Sequence, residues 1–290
     1  MNYPSRKIPR SELPERLREI PDAPKYLYAR GAPLPTDTDH KFLCVVGSRS
    51  NTTYGRQVVE RLITGLAGFP ITIISGLAMG IDALAHEYAM AAGLGVIAIP
   101  GSGINDSVLY PATNRTLAKR ILQYGGTLMS EFEPDKASML HMFPRRNRIM
   151  AGLSHAVLII EAEIKSGTLI TARLATEYGR DVLTVPGSIF NQTSEGPHML
   201  LTLGAAPIRS SKDILDALHI ATLESPQMRE LRYEQLNNEE KEIVHLLREP
   251  MKKDDLLELL NRPLSDTLGT LMMLEIKGII KEELGEIHLL

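Results

Sequence analysis

The stretch at 141–187, HMFPRRNRIMAGLSHAVLIIEAEIKSGTLITARLATEYGRDVLTVPG, decides the fold. Two short apolar runs, 155–161 and 182–185, have the length and β-branched content of buried parallel strands. Between them Ser166-Gly167-Thr168 precedes 169–178, which reads as a helix ended by Gly179. A glycine flanked by hydroxyls at a helix start, just past a strand's C-terminal end, offers backbone N–H groups to a phosphate or another anion. Upstream, Arg145, Arg146 and Arg148 crowd around Asn147, with Phe143 beside them. Guanidinium groups fit phosphates bidentately, and an aromatic ring can stack on a base. Together these features predict a polyanion laid along the strand ends.

Working outward, strand-like and helix-like segments alternate. Strands are expected at 42–46, 71–75, 96–99 and 127–130, and helices at 54–67, 81–92, 113–124 and 145–153. An edge strand at 207–209 precedes a helix at 212–218. Repeated βα alternation predicts an α/β fold, a parallel sheet covered by helices on both faces, over 41–220. Several strands end in glycine turns: Gly47-Ser48-Arg49, the 76–80 turn from Gly76 to Gly80, Pro100-Gly101-Ser102-Gly103, and Pro186-Gly187-Ser188. On one sheet edge they would make a glycine floor on which a ligand's backbone approaches closely. None has the Gly-Lys-Ser/Thr of a P-loop or a full G-x-G-x-x-G, so nucleotide hydrolysis has no motif here.

Residues 1–40 are rich in proline and charge and read as a lead-in, with a short helix near 12–20. Residues 221–235 read as a linker. The remainder, 236–290, reads as a winged helix: helices at 239–247, 252–260 and 265–277, capped by Asn238 and Ser265, then a ribbon from 278–281 and 286–290. The third helix, which reads DNA in such modules, opens with Ser265, Asp266, Thr267, Gly269 and Thr270 and has no Arg or Lys there. Protein docking or self-association is the expectation for it.

The 290 residues can bury a sizeable core, and 43% hydrophobic with 23% charged content is that of an ordinary globular protein. No apolar run approaches the ~20 residues that span a bilayer, and the first residues lack a signal peptide's apolar stretch. The single cysteine, Cys44, lies within an apolar strand, so neither an internal disulfide nor a cysteine metal cluster can form. A reducing cytoplasm without membrane attachment is expected, and no cofactor or metal is called for. The net charge of −3 is unevenly spread: residues 1–220 carry 23 Lys+Arg against 20 Asp+Glu (+3), and residues 221–290 carry 9 against 15 (−6). Phosphate contact depends on local cations and so belongs to the first part.

Individual side chains leave alternatives. Arg49 directly follows a strand, where it faces a ligand crevice. Asp82 and His86, four apart on one helix face, are an acid–base pair or a helix cap with its packing partner. Glu161 either activates water or fixes amides of the 162–168 loop. Phe143 is either core or a stacking platform.

Taken together, VVGSRSNTTYGR (45–56), SGLAMGIDALAH (75–86), LYPATNRTLAKRI (109–121), SEFEP (130–134), FPRRNRIMAGLS (143–154), EAEIKSGTLITARLATEYGRDVLTVPGSI (161–189) and LLTLGAAPI (200–208) resemble the DNA-processing protein A (DprA, or Smf) family over roughly 20–215. The resemblance implies a Rossmann-like domain, here with a C-terminal winged helix. It implies a non-enzymatic protein that binds and protects single-stranded DNA, dimerises, and loads a RecA-type recombinase in natural transformation. It places Gly47, Ser48 and Arg49, and Phe143 with the 145–148 cluster, at the DNA surface. A two-fold dimer through 190–220 would use Phe190, Met199, Leu200, Leu201, Leu215 and Leu218, unless these pack the last helices onto the sheet. A second resemblance, to nucleotide-cleaving phosphoribohydrolases, implies Pro-Gly-Gly-x-Gly-Thr-x-x-Glu. This chain has Lys165-Ser166-Gly167-Thr168-Leu169-Ile170-Thr171, with no glutamate where the catalytic one would sit. A nucleotide-sensing module is a third option.

Overall fold

Apolar runs of four to six residues bounded by turn residues are too short for helices and pair side by side. In the computed structural model, which describes residues 3–37, 39–220, 236–247, 251–260, 262–277, 279–283 and 285–289, they form two units, Met1–Ala221 and Thr222–Leu290.

The first unit is built on strands β1 (Arg6–Pro9), β2 (Tyr26–Gly31), β3 (Lys41–Val46), β4 (Ile71–Ser75), β5 (Gly95–Ala98), β6 (Thr127–Ser130), β7 (Ala156–Ile159), β8 (Asp181–Thr184) and β9 (Ala206–Pro207). Among the described residues they make one nine-stranded sheet in the order β1-β2-β6-β5-β4-β3-β7-β8-β9. The strands from β6 to β9 in that order are parallel, with Cys44 level with Ile74 on one side and Val157 on the other.

Strand residues alternate between two cores, as the period of two requires. Leu43, Val45 and Leu158 join one core with Val59, Ile63, Leu84, Ala118 and Ile214. These come from α2 (Thr53–Thr64), α3 (Ile81–Ala91), α4 (Arg115–Tyr124) and α8 (Ser211–Ala217). Phe42, Cys44, Val46 and Val157 join the other with Leu17, Ile149, Leu153, Ala172 and Leu200, from α1 (Glu15–Arg18), α5 (Met142–Leu153), α6 (Thr168–Glu177) and α7 (Glu195–Thr202). The sheet is thus covered on both faces. Burial pushes the Cys44 thiol up, so it packs as a small hydrophobe.

The region read as a lead-in is part of this sheet. β1 and β2 pair antiparallel, and β2 adds antiparallel to β6 with Tyr28 opposite Ser130. The expected helix at 12–20 shrinks to α1 because Pro9, Pro14 and Pro21 allow one turn between them. Of the apolar residues offered for a dimer, Leu200, Leu215 and Leu218 are core, whereas Phe190 is 90% exposed.

The second unit has helices α9 (Asn238–Leu246), α10 (Lys253–Leu260) and α11 (Leu264–Ile276) and strands β10 (Met251–Lys252), β11 (Ile280–Glu283) and β12 (Glu286–Leu289). The antiparallel order is β10-β12-β11, which adds a strand to the expected ribbon and gives the helix–strand succession of a winged helix. Ile243, Leu256, Leu271, Leu274 and Ile287 pack its core. The cap of α9 is Asn237, one residue before the expected Asn238, in a reciprocal box with Glu240. Ser265 does not cap α11; its hydroxyl donates to the Asp266 carboxylate at 3.0 Å. Residues 221–235, read as a linker, lie outside the described residues.

Candidate functional site

From β3 the chain steps outward through β4 and β5 to β6, then returns to place β7 on the other side of β3. The loops leaving β3 and β7 therefore diverge, and a crevice opens at their C-terminal ends, where α/β sheets take ligands. A cleft of about 590 Å³ lies there. Gly47, Ser48, Arg49, Phe143, Arg146, Asn147, Ser166, Gly167 and Thr168 line it, with Tyr110, Leu140 and Lys165. Segments far apart in sequence thus meet in one place.

One wall is aromatic and cationic. The Phe143 ring lies over Gly101, where a Cβ would collide with it. The Arg49 guanidinium is 5.6 Å from the Phe143 centroid, and Tyr110 packs against the same ring at 5.6 Å with a 57° tilt. Tyr110 is 46% exposed and Phe143 half-buried, so the cluster offers a ring face and a cation to the cleft.

The opposite wall is the start of α6. The Asn147 amide donates to the Gly167 carbonyl at 3.3 Å, and the Thr168 hydroxyl donates to the Gly47 carbonyl at 3.2 Å, tying both loops together. The Thr168 amide is not free for an anion as expected, because the Ser166 hydroxyl accepts it at 3.2 Å. Gly167 faces open space, and exposed Lys165 supplies the charge on this side.

The floor is polar and buried. Arg146 is 5% exposed and donates to the carbonyls of Gly76, at 2.6 Å, and Ile99, while its Nε donates to Asn147. Burial lowers its pKa, with Asp82 opposing the shift. Asp82 accepts the amides of Gly76 at 3.1 Å and Ala78 at 3.4 Å, and burial raises its pKa against the pull of Arg146. So Asp82 holds the turn before α3.

Two of the expected glycine contacts are corrected. A Cβ on Gly76 would strike the Arg146 guanidinium and the Asp82 carboxylate. Gly80, at φ +75°, lies against the carbonyls of Ser48 and Arg49. Both glycines support the cleft from beneath and do not line it. His86 is fully buried, neither ring nitrogen has a protein partner, and burial drives its pKa down to about 3, so no acid–base pair with Asp82 forms.

The arginine cluster also divides, because consecutive helix positions are turned by about 100°. Arg146 points to the cleft floor. Arg145 and Arg148, three apart, share a different face and line a separate depression with Asp22, Lys25 and Glu131. Arg148 is buried between Glu131 (2.5 Å) and Asp22 (3.4 Å), and Arg145 reaches Glu131 at 2.8 Å over the Phe132 ring. Their charges are spent on carboxylates, and Arg148 is a structural tie. Glu161 does neither thing expected of it: its carboxylate accepts the amide of Thr52 at 2.9 Å and the Thr52 hydroxyl at 2.5 Å. Tyr110 and Lys165 also line the cleft; each lies within a quoted sequence stretch, 109–121 and 161–189, but only the tertiary fold brings them together.

A family model for DNA recombination-mediator protein A matches residues 7–219. Protein Smf of Escherichia coli is 42% identical over 206 residues, 71% of this chain and 54% of that protein, so this chain spans about half of that relative. DNA processing protein DprA of Streptococcus pneumoniae is 41% identical over 219 residues, 73% of each chain. Its X-ray structure superposes with a TM-score of 0.66 at 38% identity over 74% of each chain. DNA processing protein A from Helicobacter pylori, the subject of a structure on its single-stranded DNA binding mode, superposes with a TM-score of 0.65 at 28% identity. That match covers 75% of this chain and 96% of the other.

Proposed function

Because the chain belongs to the DNA recombination-mediator protein A family, we propose that its first unit binds single-stranded DNA in the cleft between β3 and β7. The observation that carries this reading is the meeting of Arg49, Phe143 and Tyr110 on one wall, above a floor holding Arg146. A ring face stacks any base and a guanidinium neutralises any phosphate, so the strand is held without reading its sequence. A duplex hides its base faces and cannot use the aromatic wall. The bound strand is protected and passed to a RecA-type recombinase. The protein acts in the reducing cytoplasm, as a homodimer and without bond cleavage.

Two crevices in a fixed dimer raise effective concentration, so strands long enough to span both bind much more tightly than strands filling one. Of the six residues named for that contact, Phe190 and the half-buried Met199 and Leu201 are available, and exposed Leu203 lies beside them in sequence. Among the described residues no helix is long and apolar enough to cross a membrane.

The test is binding of single- and double-stranded oligonucleotides across a salt series, with light scattering at micromolar protein. Single-strand preference, a steep loss of affinity with salt, and a second rise in affinity with oligonucleotide length in a dimer are the expected results. Equal affinity for duplex would remove the stacking reading, and a monomer whose affinity stops rising would remove the dimer. Base release from adenosine monophosphate would favour the nucleotide-cleaving alternative; Glu161, engaged with Thr52, argues against it.

A further inference from the structure

The third helix of the second unit, α11, is apolar on both sides. Thr267, Leu271 and Leu274 are buried in its module. On the other side Leu268, Met272, Met273 and Ile276 are 37%, 65%, 48% and 70% exposed. At about 100° per residue these four share one arc, and Gly269 falls within it, between the directions of Ile276 and Met273. A Cβ on Gly269 would meet nothing, so a flat notch sits beside Leu268 at the N-terminal end of the stripe. Leu259 of α10 adds a further exposed apolar side chain, 60% accessible. A helix that is apolar all round belongs in an interior, and a contiguous exposed apolar patch marks a contact surface.

Charge decides what covers it. Glu275 borders the stripe on one side and Asp266 on the other, both exposed. Lys277, beyond Asp266, is held at 2.5 Å by the buried Glu240. Residues 236–290 carry 12 Asp+Glu against 7 Lys+Arg, or −5. Nucleic acid would meet the same repulsion, and a second copy would bring acidic rims against acidic rims. The complementary object is a helix whose apolar face is flanked by cations, docking alongside and close over Gly269. Methionines suit such a surface because their unbranched side chains refit to different partners.

We propose that α11 is a protein-docking surface for an amphipathic helix bearing Lys or Arg on both sides of its apolar stripe. This does not depend on what the first unit binds.

The test uses the full chain and two fluorescent 14-residue helical peptides of Leu with either Lys or Glu. The Lys peptide should bind roughly tenfold or more tightly than the Glu peptide, and weaken with salt. Leu268→Ala/Met272→Ala/Ile276→Ala should lower its affinity by a similar factor or more at an unchanged melting temperature, since alanine keeps the helix. Asp266→Lys/Glu275→Lys, which leaves the apolar stripe intact, should reverse the peptide preference. An unchanged preference in the charge reversal, or equal binding by the alanine variant, would overturn the proposal. So would self-association of the wild-type chain that the alanine variant abolishes, which would make a second copy the occupant.

Discussion

The carboxylate of Glu161, at the end of β7, accepts both the amide and the hydroxyl of Thr52, the residue that caps α2 after β3. Thr52 is at once a cap for Gly55, whose amide its hydroxyl accepts at 3.1 Å, and a donor to the neighbouring strand end. Gly55 lies so close to the carboxylate that a Cβ would collide with it. One acidic side chain thereby fixes the distance between the two loops that form the cleft.

Removing it should be felt as stability. Glu161→Ala breaks a buried, charge-assisted pair of hydrogen bonds, and each such bond contributes about 1.5–3 kcal/mol. Thr52→Ala loses the cap as well as its hydroxyl bond, at about 1 kcal/mol for the cap alone. Denaturant unfolding of the two singles and the double should show non-additive losses; strict additivity would mean the contact is not shared.

Arg49→Ala should weaken single-strand binding regardless of sequence and flatten the salt slope by about 0.7 for the phosphate lost. Arg145→Ala should change neither, since that guanidinium lies in another depression beside Glu131. Anisotropy over a salt series separates them. A slope change in Arg145→Ala would return that residue to the DNA surface.

Phe143→Ala and Tyr110→Ala should each cost about 1–3 kcal/mol of binding if each face holds a base, with the salt slope unchanged. Because the rings touch, their losses should not add. A lower melting temperature with normal affinity in the folded protein would assign the rings to packing.

Arg148→Met should lower unfolding free energy by about 1.5–3 kcal/mol, because the half-buried Glu131 loses the shorter of its two arginine contacts and keeps only exposed Arg145. Chemical denaturation gives the value, and single-strand affinity of the folded variant should match wild type.

His86 sets a pH limb. Its folded pKa of about 3 is below the ordinary 6.5, so between those values the unfolded chain binds the extra proton. The contribution of His86 to stability is constant above about pH 6.5 and falls by about 1.4 kcal/mol per unit as pH drops towards 3. His155, lowered to about 4, acts in the same direction, while Asp82, raised by burial, acts in the opposite one. The difference between wild type and His86→Leu isolates the limb, and identical pH profiles would refute it.

The strands β3, β4, β7 and β8 and their glycine turns were legible because each is a short apolar run with nothing else to form. β1 and β2 were not, since β2 joins the sheet only through β6, about a hundred residues away, and β1 only through β2. The residue types of the site were legible in 143–148 and 166–168. What the linear order could not show was rotation: one helix turn sends Arg146 under the cleft and Arg145 and Arg148 away from it. Nor could it show that Glu161 would reach across to Thr52 instead of its own loop.

The return of the chain to β7 means that the cleft has no existence in either half of the sheet. A nascent chain emerging from synthesis carries Arg49 long before it carries Gly167 and Thr168, and has no crevice until both sides of the seam are joined. Binding competence therefore requires both halves of the sheet to be in place. Once folded, any strand gripping both walls is a clasp across that seam, and its occupancy should protect the β3–β7 junction from opening in proportion to ligand concentration.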